Sequence, residues 1–115
     1  WIGVDPDGTL AHYKDFDGSI GRPLMPMANR VKNWLSQGYE VRIVTARVSH
    51  PKCDVAAFTK MLHAWLADVG LPALTVQSNK DFAMIELWDD RVVQVASNSG
   101  YPEYGPQSSR VDGVL

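Results

Sequence analysis

The chain has 115 residues, of which 45% are apolar, and its 11 basic and 13 acidic side chains leave a formal net charge of −2. This length and composition predict one globular domain, exclude a disordered chain, and give no electrostatic basis for tight binding to a nucleic-acid duplex. One cysteine, Cys53, permits no internal disulfide, and no signal peptide or membrane-spanning apolar stretch is visible, so we expect a cytoplasmic protein without a membrane partner.

The first half of the chain predicts two strands separated by a flap and a helix. Residues 1–4 are apolar and form the first predicted strand, and the polar, glycine-rich stretch 11–24 predicts a short flap. A helix is predicted from Pro26, which suits a first helical turn, to Gly38, which suits a C-terminal stop. Its apolar face, at helical spacing, comprises Met27, Val31, Trp34 and Leu35. The β-branched segment 40–45 predicts the second strand.

The second half of the chain predicts one more helix and three more strands. Apolar residues recur every three or four positions over residues 54–69, which predicts the second helix. Residues 74–77, 84–88 and 92–96 are predicted to form the third, fourth and fifth strands. The stretch 99–115 is rich in glycine, proline and serine and predicts a loop-rich tail.

The order of these elements predicts an α/β fold. Strands that alternate with helices require parallel crossover connections, so we expect a three-layer α/β/α, Rossmann-like sandwich with a mostly parallel sheet. No linker or repeat divides the sequence, and residues 1–115 are interpreted as a single domain. In open parallel sheets, ligands bind beyond the carboxyl ends of the strands, and this rule indicates where functional residues should converge.

Two aspartates follow the first predicted strand, in the run Asp5-Pro6-Asp7-Gly8-Thr9. Side chains two positions apart in an extended segment point the same way, so the two carboxylates should lie together. Close like charges repel unless a cation or a shared proton relieves them, and a hard divalent ion such as Mg²⁺ prefers oxygen ligands. The pair suits phosphoryl transfer, in which one aspartate attacks phosphorus, the other handles the proton and the metal neutralises the phosphate.

Polar residues also follow two other predicted strands. Thr45 ends the second strand and Ala46 follows it, Lys80 lies in the connection before the fourth strand, and Asp89 and Asp90 lie at the end of the fourth. Carboxylates suit Mg²⁺, a hydroxyl and backbone amides suit phosphate oxygens, and an ammonium suits developing negative charge. Taken alone, Asp7-Gly8 is a common turn signal and Lys80 is an ordinary surface lysine, but the order of the whole set favours a site.

In these motifs the chain resembles the haloacid dehalogenase (HAD) superfamily of phosphotransferases. The four motifs of that family correspond, in order, to Asp5-x-Asp7-Gly8-Thr9, Thr45, Lys80 and Asp89-Asp90. The resemblance covers nearly the whole chain and implies a HAD-like fold. Members of the family often carry a cap domain, whereas only the short flap separates the first motif from the first helix here. The resemblance therefore implies a capless protein, with an open site or with a partner subunit, such as a second copy of the chain, as its lid.

The resemblance also implies a role for each matching residue. Asp5 would be the nucleophile that forms an aspartyl-phosphate. Asp7 would protonate the leaving group and then activate water, with its backbone carbonyl facing Mg²⁺. Under the same resemblance, the phosphate-binding residues are Thr45, Ala46 and Lys80, and the Mg²⁺ ligands are Asp5, Asp7, Asp89 and Asp90. The implied activity is Mg²⁺-dependent hydrolysis of a phosphomonoester.

The substrate is predicted from a narrower resemblance. The Asp-Asp-Arg-Val run at residues 89–92 and the capless layout are similar to the phosphatase part of polynucleotide kinase-phosphatases and to phage-type relatives, which implies a phosphorylated small molecule such as a nucleotide, or a nucleic-acid end. His12, Tyr13 and Arg47 are candidate substrate contacts. One alternative is a non-catalytic phosphate-binding module, favoured by Pro6, which removes a backbone N–H from the loop that would grip phosphate. Another is a phosphotransferase to an acceptor other than water.

Overall fold

The structure is a computed structural model that describes residues 1–104 and residue 111. Its elements, in chain order, are β1 (Ile2–Val4), α1 (Met25–Ser36), β2 (Val41–Val44), a 3-10 helix (Ala46–Ser49), α2 (Val55–Val69), β3 (Val76–Gln77) and β4 (Glu86–Trp88). Within this part of the chain, neither α-helix combines the length and the apolar content that crossing a membrane requires.

The four strands form one all-parallel sheet in the order β3-β2-β1-β4. The central strand β1 pairs with β2, where Ile2 lies opposite Val41, and with β4, where Val4 lies opposite Trp88. An α/β fold with a parallel sheet is thereby confirmed. The carboxyl ends of β1, β2 and β4 meet at one edge, because parallel strands all run in the same direction.

Local signals explain where the helices begin and end. Proline stands in the first turn of α1, and Gly38, just beyond its end, has a φ of 89°. The Asp54 side chain caps α2 by accepting a hydrogen bond of 3.0 Å from the backbone N–H of Ala57. Gly70 ends α2 in the left-handed conformation that glycine adopts without steric cost. Both predicted helices are confirmed to within a residue or two.

Both helices pack on the same face of the sheet. On each central strand, every second side chain points to this face and packs with residues of both helices in a single apolar cluster. The members of the cluster include Ile2, Val4, Val41, Ile43, Met27, Val31, Leu62 and Leu66. The opposite face carries Gly3, Arg42 and Val44, and the β3–β4 connection, residues 78–85, contains no helix. Residues 1–104 therefore form a sheet with one helical layer, and the second helical layer of a three-layer sandwich is not among their elements.

The prediction of a fifth strand over residues 92–96 is wrong. Val95 makes only an isolated antiparallel bridge to Pro102, and the Ala96 backbone N–H donates to the Tyr101 carbonyl at 2.9 Å. The chain reverses between these residues, where Asn98 has a φ of 63° and Gly100 a φ of 77°. Backbone groups of this segment therefore form hydrogen bonds with the residues that follow it, and residues 92–96 do not extend the sheet beside β4.

The predicted flap, residues 11–24, is a loop with its ends tied together. Ala11 bridges Pro23, and the His12 backbone N–H donates to the Arg22 carbonyl at 2.8 Å. Glycine at position 21 lets the two ends of the flap approach this closely, because a Cβ there would overlap the His12 carbonyl. The predicted tail, residues 99–115, is turn-like over residues 99–104, and its remainder lies outside the described residues except for position 111.

Candidate functional site

A cavity of about 770 Å³ opens at the carboxyl edge of the sheet. Its walls come from the ends of β1, β2 and β4, from the flap and from the 3-10 helix. The lining residues include Asp5, Asp7, Tyr13, Phe16, Thr45, Ala46, Arg47, Ser78, Asp89, Asp90 and Arg91. We call it the carboxylate cavity. Most of the sequence-predicted site residues are therefore brought together, although they come from segments far apart in the chain.

Three carboxylates lie closest together in this cavity. One oxygen from each of Asp5, Asp89 and Asp90 lies within 4.8 Å of the other two. The Asp5 backbone N–H donates to the Trp88 carbonyl at 2.9 Å, which fixes the end of β1 beside the end of β4. Such a set of carboxylate oxygens suits a hard divalent cation such as Mg²⁺.

Burial and charge both act on Asp5. Desolvation, followed by the negative charges of Asp89, Asp7 and Asp90, raises the pKa of the Asp5 carboxyl from 3.8 to about 8, and the nearby Arg91 guanidinium opposes this shift. A carboxylate in such a setting is stabilised by a cation or by a proton. The cluster therefore has the electrostatic character of a cation site.

The loop after β1 also positions Asp90. The Asp90 backbone N–H donates to Thr9 Oγ1 at 3.0 Å. Gly8 has a φ of 86°, and a Cβ there would lie 2.8 Å from the Asp90 Cγ atom. The loop itself is tightened by the Pro6 carbonyl, which accepts hydrogen bonds from the backbone amides of Thr9, Leu10 and Ala11. Pro6 removes a donor from this loop, but its carbonyl organises the turn.

Asp7 is not one of the three clustered carboxylates, and its side chain binds Arg47. The Arg47 Nε and NH2 atoms donate to the two Asp7 carboxylate oxygens at 2.7 and 2.8 Å. The same NH2 atom reaches the Ser19 carbonyl in the flap at 2.7 Å. The guanidinium also lies over the rings of Phe16 and Phe58, 5.1 and 5.3 Å from their centroids. Arg47 therefore joins Asp7, the flap and α2.

Thr45 and Ala46 lie where β2 turns into the 3-10 helix. Thr45 is buried, its backbone N–H donates to the Gln77 carbonyl at 2.8 Å, and its hydroxyl oxygen accepts from the Arg47 backbone N–H at 3.2 Å. Ala46 is exposed and lines the carboxylate cavity. The Thr45 hydroxyl oxygen accepts the bond from the Arg47 backbone, and its own O–H can donate to a phosphate in the cavity.

The other predicted contacts are placed differently. Tyr13 lines the carboxylate cavity, whereas His12 lines an adjacent cavity of about 260 Å³ that also borders Asp7 and Arg47. Lys80 is exposed and is not among the residues that line either cavity. Among the described residues, the basic side chains that line the carboxylate cavity are those of Arg47 and Arg91.

Sequence reasoning did not assign roles to Arg91 and Ser78, which also line the carboxylate cavity. For Arg91 a signal existed, because it directly follows the acidic pair at the carboxyl end of β4. Phe16, which the sequence places in the flap as a residue that could shape a leaving-group pocket or pack on the body, also lines the carboxylate cavity, and Arg47 lies over its ring.

Comparisons with known proteins describe the fold and not the activity. No protein-family model and no curated protein matches this chain. The chain is similar to the solved structure of a conserved protein from Bacteroides thetaiotaomicron, with a TM-score of 0.58 and 15% sequence identity. The match covers 99% of this chain and 90% of the other. At this identity the likeness shows a shared fold.

Proposed function

We propose that the chain is a Mg²⁺-dependent phosphomonoesterase of the HAD type that acts through Asp5. The observation that carries this proposal is the three-carboxylate cluster, in which oxygens of Asp5, Asp89 and Asp90 lie within 4.8 Å of one another at the carboxyl edge of a parallel sheet. The residues that resemble the first and fourth HAD motifs are these same carboxylates. A cytoplasmic location and a HAD-like sandwich belong to the same proposal.

In the proposed reaction, a carboxylate oxygen of Asp5 attacks the substrate phosphorus and the bond from phosphorus to the leaving oxygen breaks. Asp7 gives its proton to that oxygen, so that an alcohol leaves and an aspartyl-phosphate remains. Asp7 then takes a proton from water, whose oxygen attacks the phosphorus and releases inorganic phosphate and free Asp5. Asp5, Asp89 and Asp90 would hold Mg²⁺, which supplies charge neutralisation for the phosphate.

The phosphoryl group needs donors on its other oxygens. Thr45 and Ala46 line the cavity and would offer a hydroxyl and a backbone N–H, and the Arg91 guanidinium adds positive charge close enough to affect Asp5. In this proposal Arg91 takes the role that the resemblance gives to Lys80, because Arg91 lines the carboxylate cavity and Lys80 does not.

A second candidate is a non-catalytic module that binds a phosphorylated ligand. It is favoured by the Asp7–Arg47 ion pair, since both carboxylate oxygens of the proposed acid–base residue accept hydrogen bonds from one guanidinium. Turnover requires the Asp7 carboxyl to exchange protons with the leaving group and with water. In a binding module, by contrast, Asp7 would only hold Arg47 in place.

Phosphate release from an aryl phosphate tests the proposal. We expect release that requires Mg²⁺, stops with EDTA and is absent in Asp5→Asn, whose folded structure is checked by circular dichroism. Release by Asp5→Asn at the wild-type rate would overturn the covalent mechanism. A folded protein that binds Mg²⁺ and a phosphate analogue without any release would establish the binding module. Addition of a competing alcohol, with analysis for its phosphate ester, separates hydrolysis from phosphotransfer.

A further inference from the structure

Two further cavities adjoin the carboxylate cavity, one on each side of it. The first, of about 470 Å³, begins at the end of β2 and shares Phe16, Ala46 and Arg47 with the carboxylate cavity. The second, of about 530 Å³, lies along the edge strand β4 and shares Leu87 and Asp89 with it. We call them the β2-side cavity and the β4-side cavity. Both volumes lie within the range of about 300–1,000 Å³ that is typical of ligand sites, so each cavity has room for at least one side chain of a ligand.

Asp5 lies between these two cavities. It directly follows β1, and β1 is the strand between β2 and β4 in the sheet. A phosphoryl group at Asp5 therefore has a cavity on either side. A ligand that carries its phosphate at one end, such as a nucleotide, a sugar phosphate or the end of a nucleic-acid strand, extends to one side only. A ligand with a phosphomonoester in the middle of a chain extends to both.

This two-sided arrangement favours a polypeptide over the other phosphorylated polymers. A polypeptide carries phosphomonoesters in the middle of its chain, on the side chains of serine, threonine and tyrosine. The internal phosphates of a nucleic-acid strand are diesters, so that polymer offers a monoester only at its ends. Occupation of both flanking cavities by one ligand is therefore a property of a phosphorylated polypeptide segment.

The β4-side cavity also offers backbone groups of the kind that bind an extended polypeptide. The Trp88 carbonyl of β4 accepts a hydrogen bond from the Asp5 backbone N–H at 2.9 Å. Adjacent residues of a strand direct their backbone groups to opposite sides, so the N–H and C=O of Leu87 point away from β1, toward the open edge of the sheet. An extended segment beside β4 can pair with these two groups, as peptides do when they add to a sheet edge.

Charge distinguishes the two flanking cavities. Among the described residues, the β2-side cavity is lined by the basic Arg47 and Lys52 and by no acidic residue, whereas the β4-side cavity is lined by the acidic Glu86 and Asp89 and by no basic one. Lys52 and Glu86 are exposed, and neither forms an ion pair within the described part of the chain. The complementary ligand is therefore acidic on the β2 side and basic on the β4 side.

Apolar and aromatic side chains complete both linings. They are Phe16, Ala46, Cys53 and Phe58 in the β2-side cavity, and Leu87, Trp88, Val92 and Tyr104 in the β4-side cavity. Apolar residues next to the phosphorylated residue would gain free energy when these surfaces remove them from water.

We propose that the substrate class is a phosphorylated polypeptide segment, bound with its phosphoryl group at the carboxylate cluster, its acidic flank in the β2-side cavity and its basic flank along β4. It differs from the nucleotide or nucleic-acid end that the narrower resemblance implies, because such a ligand occupies only one flanking cavity. The inference rests on the proposed function for hydrolysis of the phosphoester. Binding of the two flanks does not depend on turnover, so the two are tested separately.

Fluorescence anisotropy with a short labelled peptide measures the binding of the flanks to the wild-type protein in Mg²⁺. The centre of the peptide is the phosphonate analogue of phosphoserine, whose carbon–phosphorus bond is not hydrolysed, and each side carries a leucine and one charged residue. Removal of either flank should raise Kd by about tenfold or more, the loss expected when an apolar side chain stays in water. A Kd that depends on one flank only would overturn the proposal.

Two peptides that differ only in the order of their charges test the assignment of the flanks. One has aspartate before the phosphonate and lysine after it, and the other has the reverse order. We expect Kd values that differ by about threefold or more, because backbone pairing with β4 fixes the direction of the chain and only one order then matches the two cavities. Equal Kd values would overturn the proposal.

Neutral variants show which side chains produce this preference. The double variant with Lys52→Gln and Glu86→Gln should remove the difference between the two peptides, since both residues are exposed and each glutamine removes only the charge. Lys60→Gln is the matched control, because Lys60 is an exposed lysine of α2 that lines neither flanking cavity, and it should keep the wild-type preference. An unchanged preference in the double variant would contradict the assignment of the flanks.

Phosphate release is then compared for a phosphoserine peptide of the favoured order, adenosine monophosphate and a 5′-phosphorylated oligonucleotide. The highest kcat/KM for the peptide supports the assigned substrate class, and a higher value for either of the other two would overturn it. Binding that depends on both flanks, without release from any of the three, would contradict the proposed phosphatase and leave the polypeptide site standing.

Discussion

Gly8 packs directly against the carboxylate of Asp90. A Cβ at position 8 would lie 2.8 Å from the Asp90 Cγ atom and closer still to one of its oxygens. The same turn fixes Asp90 a second time, through the hydrogen bond from its backbone N–H to Thr9 Oγ1. The Gly-Thr of the first motif, which reads as a simple turn signal in the sequence, therefore shapes the acidic cluster at the end of β4.

Gly8→Ala should weaken Mg²⁺ binding. The new methyl group would displace the Asp90 carboxylate from its present place in the cluster, and it would also cost about 1 kcal/mol because L-residues are strained at positive φ. We expect a lower Mg²⁺ affinity in calorimetric titration, together with a lower free energy of unfolding in urea.

Gly18→Ala is the matched control for this change. Gly18 has nearly the same φ, 84° against 86° at Gly8, but a Cβ there meets nothing within 4 Å. The control should lose a similar amount of stability and keep the wild-type Mg²⁺ affinity. Equal Mg²⁺ affinities in the two variants would show that Gly8 does not position Asp90 for metal binding.

Stability should depend on pH through Asp5. Its pKa is raised from 3.8 to about 8, so between these values the folded metal-free protein binds more protons than the unfolded chain. The contribution of Asp5 to the free energy of unfolding therefore falls as pH rises through this window. We expect the stabilisation by Mg²⁺ to grow over the same window, because the metal replaces the proton.

Urea titrations at several pH values between about 4 and 8 measure this effect, with EDTA and with Mg²⁺. Asp5→Asn cannot titrate at this position, and its stability in EDTA should fall less over the window than that of the wild type. Parallel curves for the two proteins in EDTA would exclude Asp5 as the titrating group.

Helices whose ends are set by capping residues could be predicted from the sequence. The second helix is an example, because Asp54 caps its start and Gly70 ends it in a conformation that other residues avoid. Residues 92–96 have the β-branched character of a strand, but whether they join the sheet depends on the reversal at Asn98 and Gly100. These residues can pair either with the segment after the turn or with the edge of the sheet. Their own sequence pattern does not show which pairing forms.

The candidate site could be predicted only in part for a similar reason. The acidic residues fall at strand ends, where topology alone brings them together. Arg47 and Asp7 are 40 positions apart, and their bidentate pair depends on how the flap and α2 pack. The Asp81 carboxylate accepts hydrogen bonds from Trp1 Nε1 and from Arg42, which ties the β3–β4 connection down beside an exposed Lys80. No sequence motif specifies these long-range contacts.

Arg47→Lys should loosen the flap and reduce activity. Lysine keeps the charge but cannot make the two parallel bonds to Asp7, nor stack as a plane on Phe16 and Phe58. The side chains of Arg47 and Asp7 are only 11% and 18% exposed, so we expect a loss of about 1–3 kcal/mol in the free energy of unfolding. Amide hydrogen exchange over residues 11–24 should become faster, and phosphate release slower.

Arg42→Lys is the comparison for that variant. Arg42 also has several acceptors, Glu40, Gln77 and Asp81, but it lies on the sheet face opposite the helices and does not line the carboxylate cavity. Its replacement should leave flap exchange and phosphate release unchanged. Equal effects of the two substitutions on the flap would mean that Arg47 acts only through overall stability.

Arg91→Ala and Lys80→Ala distinguish the two cations that could hold the phosphoryl group. Arg91 lines the carboxylate cavity and its charge lowers the pKa of Asp5, whereas Lys80 is exposed and outside the cavity lining. Loss of a charge-assisted hydrogen bond should lower kcat/KM for an aryl phosphate by roughly tenfold or more in Arg91→Ala, and Lys80→Ala should stay within about twofold of the wild type. Inhibition by inorganic phosphate should weaken in parallel in Arg91→Ala. A larger loss of kcat/KM in Lys80→Ala than in Arg91→Ala would mean that Lys80 holds the phosphoryl group. The β3–β4 connection would then have to move toward the cavity when substrate binds.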